Sequence, residues 1–568
     1  MLKPETPRRK PRIITALLAI VLLAAACGGS SKNNNASGSS GSGGSASSDT
    51  TKPVMGGSVV YAQEAEDAGG VCIPESQLDI NGINYAQTIY DTLTIPNQDG
   101  KFVPFLAEKV EHNADATEWT ITLRKGIKFH DGTDLTATVV KNNLDAVRGA
   151  YPTRKPVLFG LVFGPYVADV KADDAAGVVT VTTKVPWPGF DSQLWSQGRL
   201  GIMAQAQLDD VNGCAKNLIG TGPFKLKEWV VNDHFTADKN PNYWRKDADG
   251  NQLPYLDEIT FKPVPDGQAR LNGLQSGQFQ LIHTSSALDI EQIRALAQQG
   301  QVTNNESDKF GEVGHFMLNE TKEPFNNIHA RKAVAYGIDY KTVNHVRAHD
   351  IPTIANGPYA PGSEGYLADS GYPTFNLDTA KQEVAAYKAD TGKDLTFTLG
   401  GTPDPEGVQT NEFIKSELEQ AGMKVSTYTV EQTQYINKAV ARDFEMYAWR
   451  NFSGTGGDSL FFWWHCNNAP PAPCDNLINF GGFNDAQINS DLDKGRSELD
   501  PDKAKAFYED VNKTFASQVY NIWMSYTIWS VATATNVHDI FGPPLPNGDK
   551  PNPGLANGHA MSGIFLSK

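Results

Sequence analysis

The chain is short of cysteine. Five are present in 568 residues, and none stands in a Cys-x-x-Cys pair, which removes zinc knuckles and dithiol redox chemistry. There is no G-x-x-x-x-G-K-[ST] to cradle a phosphate and no H-E-x-x-H to hold a zinc ion. There is no G-x-S-x-G to present a serine nucleophile. An excess of positive charge is missing too. The formal charge is -16, and residues 1–26 alone hold +4 (Lys3, Arg8, Arg9, Lys10 and Arg12 against Glu5), so the remainder stands at -20. That surface excludes nucleic acid as a direct partner, since such a partner needs basic patches. No internal repeat is present. Apolar residues make up 40% and charged residues 20%, which suits two or three globular domains at this length.

The start of the chain reads as an export signal. Arg8, Arg9, Lys10 and Arg12 precede an apolar run, Ile13–Ala26, that is shorter than the ~20 residues needed to cross a bilayer. It ends in LLAAAC, which is similar to a lipoprotein signal with Cys27 as the lipidated residue. Ala24 stands where such signals usually carry leucine. The alternative is an ordinary cleaved signal releasing a soluble protein. Residues 28–52 are almost entirely Gly, Ser, Asn and Ala. They cannot bury a core, and form a tether with a root-mean-square span of roughly 25–30 Å.

From Pro104 to Leu144 a strand, a turn and a helix are legible. Trp119, Ile121 and Leu123 alternate with Thr120, Thr122 and Arg124, the pattern of a half-buried strand. Asp131-Gly132 is a turn dipeptide. Thr136 is placed to cap a helix whose apolar face is Val140, Leu144 and Val147. In this stretch LAE, a strand and LRKGIKFHDGTDLTA closely resemble the signature of the family 5 solute-binding proteins, the large peptide- and nickel-type lipoproteins of bacterial ABC importers. Thr138 and Val139 replace the acidic pair usual at that point. YDTL (Tyr90–Leu93), GTGPFKLKEWVVNDHFTADKNPNYW (Gly220–Trp244), LNGLQSGQFQLI (Leu271–Ile282) and HFMLNETKEPFNNIHARKAVAYGID (His315–Asp339) resemble the same family.

The resemblance implies an α/β fold of the type II periplasmic-binding-protein kind. Two lobes are joined by two crossings, near Gly314–Leu318 and near Trp523–Val531. Lobe I is expected from 53–93, 218–313 and 532–568, an extra subdomain from 94–217, and lobe II from 314–531. Beyond Asn376, strands alternate with helices, which implies a mostly parallel sheet. Asp500 and Pro501 suit the start of a long helix.

Four cysteines besides Cys27 allow three pairings. Cys466 and Cys474 enclose NNAPPAP and form a natural local pair. Cys72 and Cys214 then close a long loop, stabilising by roughly 4–5 kcal/mol in the chain-entropy picture. Peptide-binding relatives join the N-terminal region to a cysteine just before the GTGPF strand. The alternative is four buried thiols.

No catalytic constellation is found, and no cofactor or metal is expected. His345 and His349 are spaced i, i+4 without a third ligand nearby. His130, beside Asp131, sits inside the hairpin signature and reads as structural. The segment informative for binding is Met446–Asn468, a strand running into a Gly-rich loop dense in aromatics. Open α/β sheets bind ligands at the carboxyl ends of strands. Trp449, Arg450, Asn451, Phe452, Asp458 and Trp463 are therefore the candidate ligand residues. Many peptide-binding relatives carry an aspartate three residues after the tryptophan that matches Trp449, pairing with the peptide's amine. Here Phe452 stands there, so Asp458 either takes the amine or the ligand has none.

The expected protein is a monomeric, lipid-anchored receptor on the outer face of the cytoplasmic membrane. It captures a ligand between its lobes and delivers it to an ABC importer permease, without catalysis. A peptide is the expected ligand. An oligosaccharide or a nickel chelate is the alternative within the family, and a sensor or scaffold lipoprotein, or an extracytoplasmic hydrolase, outside it.

Overall fold

Strands with buried, alternating apolar residues assemble into two large sheets, a four-stranded sheet and two two-stranded ribbons. The computed structural model describes residues 51–568, apart from Ala68, Gln77, Phe452, Ser453 and Thr455. The export signal, Cys27, nearly all of the tether and Phe452 thus lie outside the described residues. The first sheet has seven strands, in the order Thr303–Ser307, Trp529–Thr533, Leu281–Thr284, Ser58–Gln63, Glu258–Pro263, His234–Lys239 and Phe224–Val230. The second has six, in the order Thr353–Ile354, Asn521–Tyr526, Val313–Leu318, Met446–Asn451, Thr396–Gly401 and Lys424–Thr429. A four-stranded antiparallel sheet falls within residues 107–183. It includes Glu118–Leu123, where Trp119, Ile121 and Leu123 are buried, and the Ala137–Val147 helix capped by Thr136 accompanies it.

Two segments cross between the large sheets. One joins Thr303–Ser307 to Val313–Leu318, and the other joins Asn521–Tyr526 to Trp529–Thr533. The Thr527 amide donates to the Glu312 carbonyl at 2.9 Å, tying the crossings together. The second crossing, expected near Trp523–Val531, is made of two strands rather than one. The chain breaks at residues 527–528, and Trp529–Thr533 pairs with the first sheet, so lobe II ends a few residues before 531. A continuous run of bulky residues hides this break, because both halves are buried.

The second sheet is mixed: the strands beyond Asn376 pair parallel as expected, and the strands added to them from the crossings make the whole sheet less parallel than expected. Only the pairings of Thr396–Gly401 with its two neighbours are parallel. Val313–Leu318 and Asn521–Tyr526 belong to the two crossings and pair antiparallel with their neighbours. Alternation of strands and helices speaks only for strands linked within one lobe.

The distinctive motifs converge on one knot. Asp91 of YDTL is buried and accepts from Thr221 Oγ1 at 2.9 Å, Tyr243 OH at 3.0 Å and Trp244 Nε1 at 2.9 Å. His130 Nε2–H donates to the Gly222 carbonyl at 3.0 Å. A Cβ on Gly220 would sit 2.1 Å from the Ile89 carbonyl oxygen, so glycine there answers a close chain approach. Cys72 and Cys214 sulfurs lie 2.07 Å apart across 142 residues, and those of Cys466 and Cys474 lie 1.98 Å apart across 8.

Candidate ligand cleft

The strand ends of both lobes open onto a cavity of 1180 Å³. Lobe I contributes the residues at the carboxyl end of Ser58–Gln63, among them Glu64 and Glu66. It also contributes Asp79 and Asn81 at the start of the Ile80–Ile89 helix. Lobe II contributes Trp449 and Arg450 near the carboxyl end of Met446–Asn451, with Tyr435, Trp463, Ile478 and Phe480. The crossings supply Glu312, His315 and Trp529 between them.

Trp449 is half-buried and stacks on Tyr435, with centroids 5.9 Å apart and planes within 11°, while Phe480 meets its edge at 5.0 Å. Trp463 is buried and meets Phe480 at 6.2 Å. Arg450 reaches across the cleft. Its guanidinium donates to Ser285 Oγ at 3.0 Å, lies 3.7 Å from Glu312 and covers the Trp529 ring at 5.4 Å. A second link joins Ser286 Oγ to Glu406 at 3.3 Å, and a third joins His349 Nδ1 to Glu291 at 2.8 Å. His345 pairs instead with Asp350, so the two histidines do not converge.

Two expected ligand residues are placed elsewhere. Asp458 is buried away from the cavity wall, where Arg496 Nε donates to it at 2.6 Å and Trp187 Nε1 at 2.8 Å. Arg496 packs against the rings of Tyr166, Trp187 and Phe461. Asp458 is therefore held against Arg496 and Trp187 and does not face the cleft. Asn451 is buried and does not line the cavity. Trp449, Arg450 and Trp463 do line it.

Burial shapes the electrostatics. It raises Glu312 above the usual carboxylate range, opposed by Arg450 and Arg199. Behind the lobe I wall, burial and the neighbouring Asp79 push Asp67 up to about 7. Burial lowers His315 to about 4, leaving a neutral ring whose Nδ1–H donates to the Val313 carbonyl at 2.9 Å.

The sequence reading missed Glu64, Glu66, Asp79, Glu312, Tyr435 and Phe480. Glu64 and Glu66 had a signal. They follow the Ser58–Gln63 strand as Trp449 ends its own, so the strand-end rule applies equally to both.

The model of the bacterial extracellular solute-binding proteins, family 5 Middle, matches residues 101–472. The chain belongs to this family. The glutathione-binding protein GsiB of Pectobacterium atrosepticum is 25% identical over 433 residues, 75% of this chain and 80% of its own. Among solved structures, the periplasmic binding protein DppA of Helicobacter pylori, in complex with the peptide STSA, superposes with a TM-score of 0.78 at 20% identity. It covers 91% of this chain and 99% of its own. The oligopeptide-binding protein AppA of Bacillus subtilis, bound to a nonapeptide, gives 0.76 at 21% identity over 91% of this chain and all of its own. These likenesses show the two-lobed fold of a type II periplasmic binding protein.

Proposed function

We propose that this family 5 protein is a lipid-anchored receptor that closes on a peptide and presents it to an ABC importer permease. The observation that carries this reading is the 1180 Å³ cavity walled by both lobes. It exceeds the about 300–1,000 Å³ of ordinary small-molecule pockets, which favours an oligomeric ligand over a single amino acid or a metal chelate. Its polar groups and rings suit a backbone with varied side chains.

A ligand touching both walls binds the closed state better than the open one and so drives closure by its differential affinity. The two crossings are the hinge. The residues lining the cleft supply binding, orientation and exclusion of water. Cys27 would anchor the body through the tether, and a Cys27→Ala chain should leave the membrane fraction for the soluble one.

Native mass spectrometry of the gently purified full-length chain tests the ligand. A mass excess that resolves into peptides on denaturation is expected. An excess in hexose units or a nickel chelate would replace the peptide reading with one of those ligands.

A further inference from the structure

The walls of the cleft carry unbalanced charge. Glu64, Glu66, Asp79, Glu312, Asp404 and Glu406 line it, against the guanidiniums of Arg347 and Arg450 alone among its lysines and arginines. Four of those six carboxylates belong to lobe I or the crossing beside it. The cations that accompany them, Arg199, Arg270 and Lys216, do not line the cavity. Arg199 is buried and donates to the Leu78 carbonyl, Arg270 donates to Asp289, and Lys216 covers the Trp229 ring at 3.5 Å.

Two further observations point the same way. Asn81 lines this wall at 3% exposure; its Nδ2 donates to Asp79, but its Oδ1 accepts no hydrogen bond. Glu312 lines it at 8% exposure, and no hydrogen bond reaches its Oε2, which the Arg450 guanidinium approaches to 3.7 Å. A buried acceptor without a donor is costly, and an incoming group rich in N–H would supply what Asn81 lacks. Among the described residues no group of three or more His, Cys, Asp or Glu is placed to hold a metal ion. The wall therefore suits an organic cation, whose charge is spread over several donors.

The far wall is of another kind. Trp449, Trp463, Phe480 and Ile478 offer apolar and ring surface, with Leu477 and Val440 exposed at 60% and 45%. We infer that the cleft selects a ligand with a cationic group at one end and an apolar part at the other. The ammonium or guanidinium rests against Glu64, Glu66, Asp79 and Asn81, and the apolar part lies between the lobe II rings. This rests on the receptor reading above, and it names the charge of the ligand.

The test uses the full chain incubated with two probe sets, retention being read by ultrafiltration and mass spectrometry. One is an equimolar library of N-acetylated hexapeptides carrying lysine, norleucine or glutamate at one position among leucine and alanine, so that only the lysine members hold an ammonium. The other is octylamine beside octanol. Lysine peptides should be retained at least tenfold over their norleucine and glutamate counterparts. In a Glu64→Gln/Glu66→Gln chain that preference should fall below threefold. Retention of all peptides regardless of charge overturns the inference and leaves the peptide reading standing. Retention of octylamine without any peptide sustains the inference and removes the peptide reading. Retention of neither probe set overturns both. If the double variant fails to fold, the tenfold preference in the unaltered chain still decides.

Discussion

The lobe I wall and the aromatic loop of lobe II differ in how they keep their carboxylates, although Asp404 and Glu406 of lobe II also line the cleft. On lobe I, Glu64, Glu66 and Asp79 end a strand or begin a helix, and face the cavity. On lobe II the aromatic loop contributes one acid, Asp458, which turns away into a buried pair with Arg496 under three rings. A carboxylate near a ligand cleft is therefore not a ligand carboxylate until its acceptors are counted. Asp458 is held by Arg496 and Trp187, and that buried pair joins lobe II to Trp187.

The largest expected effect breaks that joint. Asp458→Ala leaves Arg496 buried without its partner, a loss of about 3–5 kcal/mol for one side of a buried pair. Denaturant unfolding should show it, while affinity for the native ligand changes less than about threefold. The opposite outcome, intact stability with lost affinity, would return Asp458 to the ligand and erase the contrast between the walls.

The crowding of acids on lobe I should be visible without any ligand. Asp67 is pushed up to about 7 first by its burial, then by Asp79. The folded state thus binds a proton that the unfolded state has already released at intermediate pH. Stability from this group accordingly falls as pH rises from about 4 to about 7, then levels. Asp67→Asn removes the penalty. The variant should match the native chain near pH 4 and exceed it at pH 8, by an amount on the order of a few kcal/mol. A gain of equal size at both pH values would show that the titration of Asp67 is not its cause.

Much of this architecture was legible. The hairpin signature, the GTGPF strand and YDTL announced the family, and they do so because Asp91, His130 and the glycines form one tightly packed knot that tolerates few other residues. The fold class and the approximate place of both crossings followed. The break at residues 527–528 did not, because strand periodicity is silent about which sheet a strand joins. On the lobe II wall Trp449, Arg450 and Trp463 were found from a strand end rich in rings. Asp458 was misread because its partner Arg496 lies 38 residues away. Glu312 was invisible for the same reason, since nothing local marks a hinge residue as part of a cleft.

The rings of lobe II can be tested directly. Trp449→Ala removes a face that stacks on Tyr435 and lines the cavity. Ring contacts of this kind contribute about 0.5–1.5 kcal/mol beyond area burial, so affinity measured by calorimetry should fall about tenfold. An unchanged affinity would assign Trp449 to the lobe II core alone and leave the acidic wall as the sole recognition surface.

The walls also meet without a ligand, at the rim. His349 of lobe II lies 2.8 Å from Glu291 of lobe I, both partly exposed. Exposed ion pairs are worth about 0–1 kcal/mol, because water screens them and two side chains must be held still. Closure that depended on this pair would be weak and salt-sensitive. Closure that depends on a ligand spanning an acidic and an aromatic wall would be neither. Glu291→Gln should therefore change ligand affinity by less than about threefold. A tenfold loss would mean that the rim, and not the difference between the walls, holds the lobes shut.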